Sequence, residues 1–261
     1  MNPFESGELV PESRYVWRAR KPGSTHRLIC FPYAGAGATA YAEWAALLPP
    51  EIELVAVQLP GRQNRIAEEP FRDTGPLIAA LSYALAPVLD GPFAFFGHSG
   101  GAMLAYELAN VLRGRGIRSP ERLFLSAQPA PDAPGRPQWH RLPDEEFRAE
   151  VLTLGGIEPE IADDPDVMAE LLPLLRADFG LWERHLPTPA AGLDCPITVL
   201  CGESDHRVPL ASVAGWRACT TAGFDTQVYP GGHFYFLSAT ADVVSFIGRT
   251  MLDPALNRRV A

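Results

Sequence analysis

The strongest constraint on the fold is the pentapeptide GHSGG at residues 97–101, which directly follows the apolar run FAFF at 93–96. It fits the pattern G-x-S-x-G, in which a strand ends, the chain turns sharply and a helix begins at once. Glycine is needed on both sides of the serine because side chains there would collide with the crowded turn. The motif predicts that Ser99 is presented as a nucleophile at the carboxyl edge of a sheet. The alternative is a glycine-rich turn that carries an idle serine.

Strands and helices alternate over most of the chain. Runs of apolar residues predict six strands, at 28–31, 53–57, 93–96, 123–125, 197–200 and 226–229. Helical spacing of apolar residues predicts helices at 41–48, 74–89, 103–112 and 241–251, whereas the residues before about 24 are polar and irregular. This alternation predicts an α/β fold with a mostly parallel central sheet and helices on both faces.

The alternation is interrupted between residues 126 and 191, where prolines cluster at both ends of the interruption. Two amphipathic stretches, 144–154 and 165–185, predict helices, and Pro173 is expected to start a new helix within the second stretch. Ligands of such sheets bind at the carboxyl ends of the strands. We therefore expect a single domain over 1–261 in which residues 129–189 form a helical lid insertion. The alternative is a subdomain without a role at the site.

Composition excludes several classes of function. The 261 residues are 47% hydrophobic and 20% charged, which suits a domain with a sizeable core. The net charge of −9 argues against nucleic acid as the main partner. No apolar run approaches the length of a membrane span, and the first residues lack the features of a signal peptide. We expect a cytoplasmic monomer that acts neither on nucleic acid nor at a membrane.

The four cysteines are Cys30, Cys195, Cys201 and Cys219, and none forms a C-x-x-C pair. This spacing argues against a zinc site, so we expect neither a metal nor a cofactor. Cys30 and Cys201 lie in apolar runs and are interpreted as small core residues, and all four as reduced thiols. A catalytic cysteine is the less favoured alternative.

A nucleophilic serine needs a base to take its proton and an acid to orient that base. After such an elbow the expected chain order is serine, acid, histidine. Of the six histidines, His233 lies in a glycine-rich loop between the last predicted strand and the last predicted helix, which is the place of the base; a surface histidine is the alternative. The acid should follow the strand at 197–200, where Asp205 is favoured over Glu203 because Gly202 and Val208 frame a short structured loop.

An oxyanion hole requires two backbone donors. The first is expected from Gly100, the residue after the serine, at a helix N-terminus. The second should come from the loop at 31–37; Pro32 has no N–H, which leaves Tyr33 or Ala34. A phosphate cradle is the alternative for this loop, but the Lys-Ser/Thr of a P-loop is absent.

Five segments in this order carry a family resemblance: FPYAG at 31–35, QLPGR at 58–62, GHS at 97–99, GESD at 202–205 and GHF at 232–234. Together they resemble the type II thioesterases, the stand-alone editing enzymes of polyketide and nonribosomal peptide synthases. The resemblance covers about residues 28–247. It implies an α/β-hydrolase fold with a helical lid. It also implies hydrolysis of stalled or aberrant acyl groups from the phosphopantetheine arm of acyl or peptidyl carrier proteins.

The resemblance also assigns roles to residues. It places Ser99, Asp205 and His233 on the catalytic triad, and the backbone N–H groups of Ala34 and Gly100 on the oxyanion hole. The family usually has methionine where this chain has Gly100, so we expect the missing side chain to open the acyl site.

Two groups of arginines are candidate docking surfaces for an acidic carrier protein, with ordinary solvated surface as the alternative. They are Arg62, Arg65 and Arg72, and then Arg113, Arg115, Arg118 and Arg122. Two other functions compete with the thioesterase: a carboxylesterase or lipase that uses the same triad, and a non-catalytic binding protein on the same scaffold. The presence of all three triad residues argues against the binding protein.

Overall fold

The computed structural model describes residues 7–134, 137–186 and 192–254. These residues form an eight-stranded sheet in the order β1-β2-β4-β3-β5-β6-β7-β8. The strands are β1 Val10–Pro11, β2 Val16–Ala19, β3 His26–Phe31, β4 Ile52–Val57, β5 Phe93–His98, β6 Arg122–Ser126, β7 Ile197–Gly202 and β8 Phe224–Tyr229. β2 is antiparallel to β1 and β4, and the other neighbouring pairs are parallel.

Helices cover both faces of this sheet. They are α1 Ala42–Leu47, α2 Thr74–Ala84, α3 Gly100–Gly114, α4 Asp144–Thr153, α5 Pro159–Ala162, α6 Pro165–Glu183, α7 Tyr235–Ser238 and α8 Thr240–Leu252. Short 3₁₀ helices add Ala38–Tyr41, Gln63–Arg65, Ala86–Val88, Trp139–Arg141 and Leu210–Cys219. α2 and α3 pack in one apolar cluster, and α1 and α8 pack in the other. The predicted mostly parallel sheet with helices on both faces is therefore confirmed.

The buried strands explain why their apolar runs were recognisable. In β3, Ile29 and Phe31 belong to the cluster of α3, whereas Leu28 and Cys30 belong to the cluster of α8, and all four are fully buried. Successive side chains of a strand point to opposite faces of the sheet. A parallel strand with a helix layer on each face must therefore be apolar at nearly every position.

The prediction of an irregular N-terminal segment was wrong. β2 pairs with β4 along Val16–Ala19, and β1 pairs with β2 along only two residues. Both strands lie at the edge of the sheet, and β2 has a partly exposed centre, so their sequence lacks the apolar run of a central strand. Pairing with the neighbouring strands, and not an apolar pattern of their own, determines their structure.

A helical insertion, residues 127–196, connects β6 to β7 and contains α4, α5 and α6. Within the predicted lid at 129–189, residues 135, 136 and 187–189 lie outside the described part of the chain. The insertion has its own small apolar cluster, whose buried members are Phe147, Val151, Leu175 and Phe179.

The prediction that Pro173 starts a new helix was wrong, because α6 runs without a break from Pro165 to Glu183. A proline inside a helix removes one backbone hydrogen bond and costs roughly 3 kcal/mol. Met168 and Leu175 are buried on the two sides of Pro173. Burial of these two side chains stabilises both halves of the helix, which offsets the lost bond.

Candidate active site

The predicted elbow forms the junction of β5 and α3. Ser99 has the unusual backbone angles φ 52° and ψ −124°, a strained conformation of the kind that clusters at functional sites. A Cβ atom at position 97 would lie 2.1 Å from the carbonyl oxygen of Gly101, and a Cβ at 101 would lie 2.4 Å from that of Phe31. Both neighbours are backbone atoms, which cannot move aside. The two glycines are therefore required by the turn that presents Ser99.

Asp205 and His233 meet at the same edge of the sheet, after β7 and β8 respectively. His233 Nδ1 lies 2.8 Å from Asp205 Oδ2, and both side chains are buried. Asp205 Oδ1 accepts hydrogen bonds from the backbone N–H groups of Arg207 at 2.9 Å and Val208 at 3.0 Å. Since an ionised carboxylate only accepts hydrogen bonds, the ring donates from Nδ1 and leaves Nε2 as an acceptor. Asp205 therefore fixes both the orientation and the tautomer of His233.

A second close approach of glycines brings these two loops together. A Cβ atom at Gly202 would lie 2.1 Å from the carbonyl oxygen of Gly232. Glu203, the alternative acid, is exposed to solvent. Of the two candidates named from the sequence, the structure pairs Asp205 with His233.

The other ring nitrogen of His233 is available. His233 Nε2 is buried, and among the described residues it has no hydrogen-bond partner. His233 and Ser99 line the same cavity. Orphaned buried polar atoms are rare in folded proteins and are characteristic of reactive sites. The arrangement suits proton transfer between a hydroxyl in this cavity and Nε2.

His98 packs against His233 and is itself held by hydrogen bonds. Its Nδ1 lies 2.9 Å from Ser126 Oγ, which in turn lies 2.6 Å from the Tyr235 hydroxyl. Burial lowers the pKa of His98 well below its ordinary value, and the neighbouring His233, with ring centroids 5.0 Å apart, lowers it further. The neutral His98 ring is therefore a packing surface for His233.

The proposed oxyanion donors lie beside Ser99. α3 begins at Gly100, so the N–H of Gly100 has no acceptor within the helix and points along the positive end of its dipole. Ala34 follows β3, and Ala34, Ser99 and Gly100 line one cavity. Within 7–134, 137–186 and 192–254, neither N–H donates a hydrogen bond. Tyr33, the other candidate, packs its ring against His98 and Phe234.

The loop that carries Ala34 is held by residues outside it. Gly35 N–H donates to Asp178 Oδ2 at 2.8 Å. Arg62 donates to both oxygens of Asp178, at 2.7 and 3.0 Å. Gln58 Oε1 accepts from the N–H of Ala38 at 2.7 Å. The QLPGR segment at 58–62 therefore acts, together with Asp178, as a scaffold for the loop that carries Ala34, which is called the oxyanion loop below after its proposed role.

Asp178 is a site residue that the sequence reasoning missed. It lies on the buried side of α6, next to the apolar Phe179 and three residues after Leu175. An acid at an apolar position of an amphipathic helix was the available signal, because a buried carboxylate requires a cationic or hydrogen-bonding partner.

In the first arginine group, two of the three members are withdrawn from the surface. Arg62 and Arg65 are each only 4% exposed, and Arg65 pairs with Glu68 at 2.6 Å, so neither is available to a partner protein. In the second group, Arg113 lies in the last turn of α3 and Arg122 in β6, whereas Arg115 and Arg118 are exposed, so a docking role for this surface stays a prediction. Arg115 there donates to Ser82, and Arg118 lies 3.6 Å from Glu121.

The space beside Gly100 is not open, in contrast to the expectation from the missing side chain. A Cβ atom at Gly100 would lie 2.4 Å from both Cδ1 and Nε1 of Trp182. Trp182 belongs to the last turn of α6 in the helical insertion. An indole from the insertion therefore fills the position that a side chain at residue 100 would take.

Two cavities flank Ser99, and both are lined by Ala34, Ser99 and Phe179. The His233 cavity is further lined by Tyr33, Val151, Leu154, Gly156, Ile157, Leu175, His233 and Phe234. The Trp182 cavity is further lined by Gly100, Gln128, Pro129, Pro137, Trp182, Glu183 and Arg207. The His233 cavity is lined mostly by apolar residues. The wall of the Trp182 cavity also includes the charged residues Glu183 and Arg207.

All four cysteines are buried thiols outside any disulfide. Burial raises the pKa of Cys30 well above its ordinary value and that of Cys201 to about 11. Since the thiolate is the reactive form, these thiols are poor nucleophiles. Across the described ranges, no helix combines the length and the apolar character needed to cross a bilayer.

Comparison with known proteins agrees with this geometry. The thioesterase domain family matches residues 26–251. Gramicidin S biosynthesis protein GrsT of Aneurinibacillus migulanus is 38% identical over 222 residues, which are 85% of this chain and 87% of that protein.

Solved structures show the same relationship. RedJ, a thioesterase from the prodiginine biosynthetic pathway in Streptomyces coelicolor, superposes with a TM-score of 0.82 at 37% identity, over 87% of this chain and 90% of that one. The type II thioesterase BorB from the borrelidin biosynthetic cluster gives a TM-score of 0.84 at 36% identity, over 93% and 99% of the two chains. The predicted α/β-hydrolase fold is confirmed, and the chain belongs to the thioesterase domain family.

Proposed function

We propose that this protein is a type II editing thioesterase that hydrolyses acyl groups from the phosphopantetheine arm of carrier proteins. The observation that carries the proposal is the buried His233–Asp205 pair, whose free Nε2 belongs to the cavity that Ser99 lines. Its relatives support the substrate class, because they include a gramicidin S biosynthesis protein and a borrelidin-cluster type II thioesterase.

The first half of the reaction transfers the acyl group to Ser99. His233 Nε2 accepts the proton as Oγ attacks the thioester carbonyl, and Asp205 stabilises the resulting imidazolium. The oxyanion is held by the N–H groups of Ala34 and Gly100. As the intermediate collapses, the carbon–sulfur bond breaks, and His233 returns the proton to the departing sulfur. The arm leaves as a free thiol.

The second half releases the acid. Water enters where the thiol left, gives one proton to His233 Nε2 and adds to the acyl carbon. Collapse of the second intermediate returns that proton to Ser99 Oγ. Besides water, the proposed steps use only groups of the chain and its substrate, and the phosphopantetheine belongs to the carrier protein.

The helical insertion serves as a lid in this proposal. It contributes Phe179 to both cavities and Asp178 to the oxyanion loop, so it covers the acyl group and supports the donors at once. Exclusion of water strengthens the electrostatic interactions inside such a site.

The experiment compares one acyl group on an acyl carrier protein, on a short pantetheine mimic and as an oxoester. We expect kcat/KM to fall in that order, because contacts with the carrier surface help to orient the thioester. Ser99→Ala should lower turnover by about 10³-fold or more, and a phosphonate should label Ser99. Ser204→Ala, which changes an exposed serine near Asp205, is the matched control and should retain activity.

Each competing function has its own outcome. A rate on the oxoester equal to or above that on the thioesters would identify a carboxylesterase. Absence of hydrolysis of all three substrates, with tight binding of one of them, would identify a binding protein. Full activity of Ser99→Ala would remove Ser99 from the mechanism.

A further inference from the structure

The two cavities beside Ser99 have unequal access to the proposed base. His233 lines the one that also contains Leu154 and Phe234, whereas the Trp182 cavity lacks His233. In the proposed function, on which this inference rests, the departing sulfur must receive its proton from His233 Nε2. The sulfur and its arm therefore lie on the side of the His233 cavity.

The acyl substituent must then point the other way. Four groups surround the reacting carbon: Ser99 Oγ, the oxyanion, the sulfur and the acyl chain. With the oxyanion at the N–H groups of Ala34 and Gly100, and the sulfur toward His233, the remaining direction leads into the Trp182 cavity. Gly100 lines this cavity and not the other, which places the second oxyanion donor at its wall.

Trp182 of the insertion lies against Gly100 in this cavity. A single methyl group on Gly100 would lie 2.4 Å from two atoms of its indole, well inside any van der Waals contact. The indole is partly buried and packs against the main core cluster of the sheet. Gly100 thus forms a notch in α3 that only the absence of a side chain leaves free, and Trp182 is seated in that notch.

The position of Trp182 is stabilised by contacts of His185, three residues further along the chain. His185, whose ring centroid lies 6.3 Å from that of Trp182, is within 2.9 Å of Glu107 Oε1 on α3 and of Thr74 Oγ1 on α2. These contacts tie the chain just after α6 to two helices of the sheet layer. The indole is therefore a fixed wall as long as the insertion is docked.

We propose that Trp182, seated over Gly100, sets the acyl chain length that this enzyme accepts. The indole closes the acyl side of the site next to the reacting carbon, so short acyl groups fit and longer ones meet its wall. Phe179 and the side chains of Gln128 and Arg207 line the same cavity.

The test measures kcat/KM for acetyl, butyryl, hexanoyl and octanoyl groups on the same pantetheine mimic. Trp182→Ala should raise the hexanoyl-to-acetyl ratio at least about tenfold, since a difference of one methylene in an apolar pocket is worth about 10- to 200-fold in kcat/KM. Leu154→Ala, which enlarges the His233 cavity and not the Trp182 cavity, is the matched control and should leave this ratio as in the wild type. A shift of the ratio in Leu154→Ala and not in Trp182→Ala would overturn the proposal and place the acyl group on the His233 side.

A second measurement tests the notch itself. Gly100→Ala should change the length profile because its methyl group displaces the indole, and this effect should vanish in the Trp182→Ala background. If the two substitutions had independent, additive effects on the length profile, the contact between residue 100 and Trp182 would not be the cause of the change.

A readout that does not depend on thioester hydrolysis separates this inference from the proposed function. Alkyl phosphonates of increasing chain length modify the serine directly, so their rates of labelling report the same wall. If the wild type hydrolyses no thioester but Trp182→Ala still accelerates labelling by long phosphonates over short ones, the proposed function fails and the wall stands. If thioesters are hydrolysed and both length profiles are unchanged in Trp182→Ala, the wall fails and the function stands.

Discussion

The sheet edge and the helical insertion hold their parts of the site by different means. At the sheet edge, Gly97 and Gly202 allow backbone to approach backbone so closely that no Cβ atom would fit. The insertion instead has a small apolar cluster of its own, packs Leu181 and Trp182 on the main core, and adds charged pairs, Asp178 with Arg62 and Glu183 with Arg207. One half of the site is fixed by steric necessity and the other by side-chain contacts, apolar and charged.

This difference separates two kinds of tolerance to change. A close backbone contact has no alternative arrangement. A side chain at Gly97 or Gly202 should therefore disrupt the geometry of the site completely and not in part. A charged pair gains its energy only when both partners are present and aligned, and removal of one partner leaves the other charge buried. We therefore expect substitutions at the sheet edge to act on the chemical step and substitutions in the charged pairs to act on docking of the insertion.

The largest effect is expected from Asp205→Asn, which should lower kcat by about 10²- to 10⁴-fold because the amide favours the wrong tautomer of His233. The fold should remain intact, as judged by circular dichroism, since the backbone donors of Arg207 and Val208 still find a carbonyl oxygen. Glu203→Gln changes an exposed carboxylate two residues away and should leave kcat near the wild-type value. If Glu203→Gln were the crippling change, the acid would have to be reassigned.

An intermediate effect is expected from Arg62→Met, which leaves Asp178 buried without its cation. Breaking a buried ion pair costs about 3–5 kcal/mol, and here the cost should appear as faster hydrogen exchange in α6 with core strands such as β5 still protected. Arg72→Met is the control: its guanidinium is 74% exposed and lies 4.0 Å from Glu69, a surface pair worth about 0–1 kcal/mol.

A double variant sharpens this test. Asp178→Asn in the Arg62→Met background removes the uncompensated charge and should restore part of the protection of α6. Equal exchange in the single and double variants would show that the insertion is not docked by this pair. Equal effects of Arg62→Met and Arg72→Met would lead to the same conclusion.

The smallest effect is expected from thiol reagents. All four cysteines are buried, and burial raises the pKa of Cys30 and Cys201. At neutral pH, iodoacetamide should leave the native protein unlabelled and its activity unchanged, whereas the unfolded chain should take up four equivalents. Rapid labelling of the native protein with loss of activity would reopen the alternative of a catalytic cysteine.

The sequence was informative where the structure is sterically determined. GHSGG at 97–101 permits one local geometry, and the loops after β7 and β8 follow from the strand order, so Ser99, Asp205 and His233 could be named from the sequence. The edge strands β1 and β2 could not, because pairing with β4 determines them. Composition alone also misplaced Arg62, since a sequence does not show that a cation will be buried against Asp178, 116 residues later.

The charged pairs also limit how the protein can be taken apart and recombined. By sequence, the insertion could be exchanged as a module, with both junctions in proline-rich segments outside the strands. Yet Asp178 binds Arg62, and Glu183 binds Arg207, which lies next to the loop of Asp205. A chimera that receives the helices of a relative without matching residues at 62 and 207 would leave the residue at 178 without its cation and the residue at 183 with only its contact to His140. The unit of exchange is the insertion together with these two arginines.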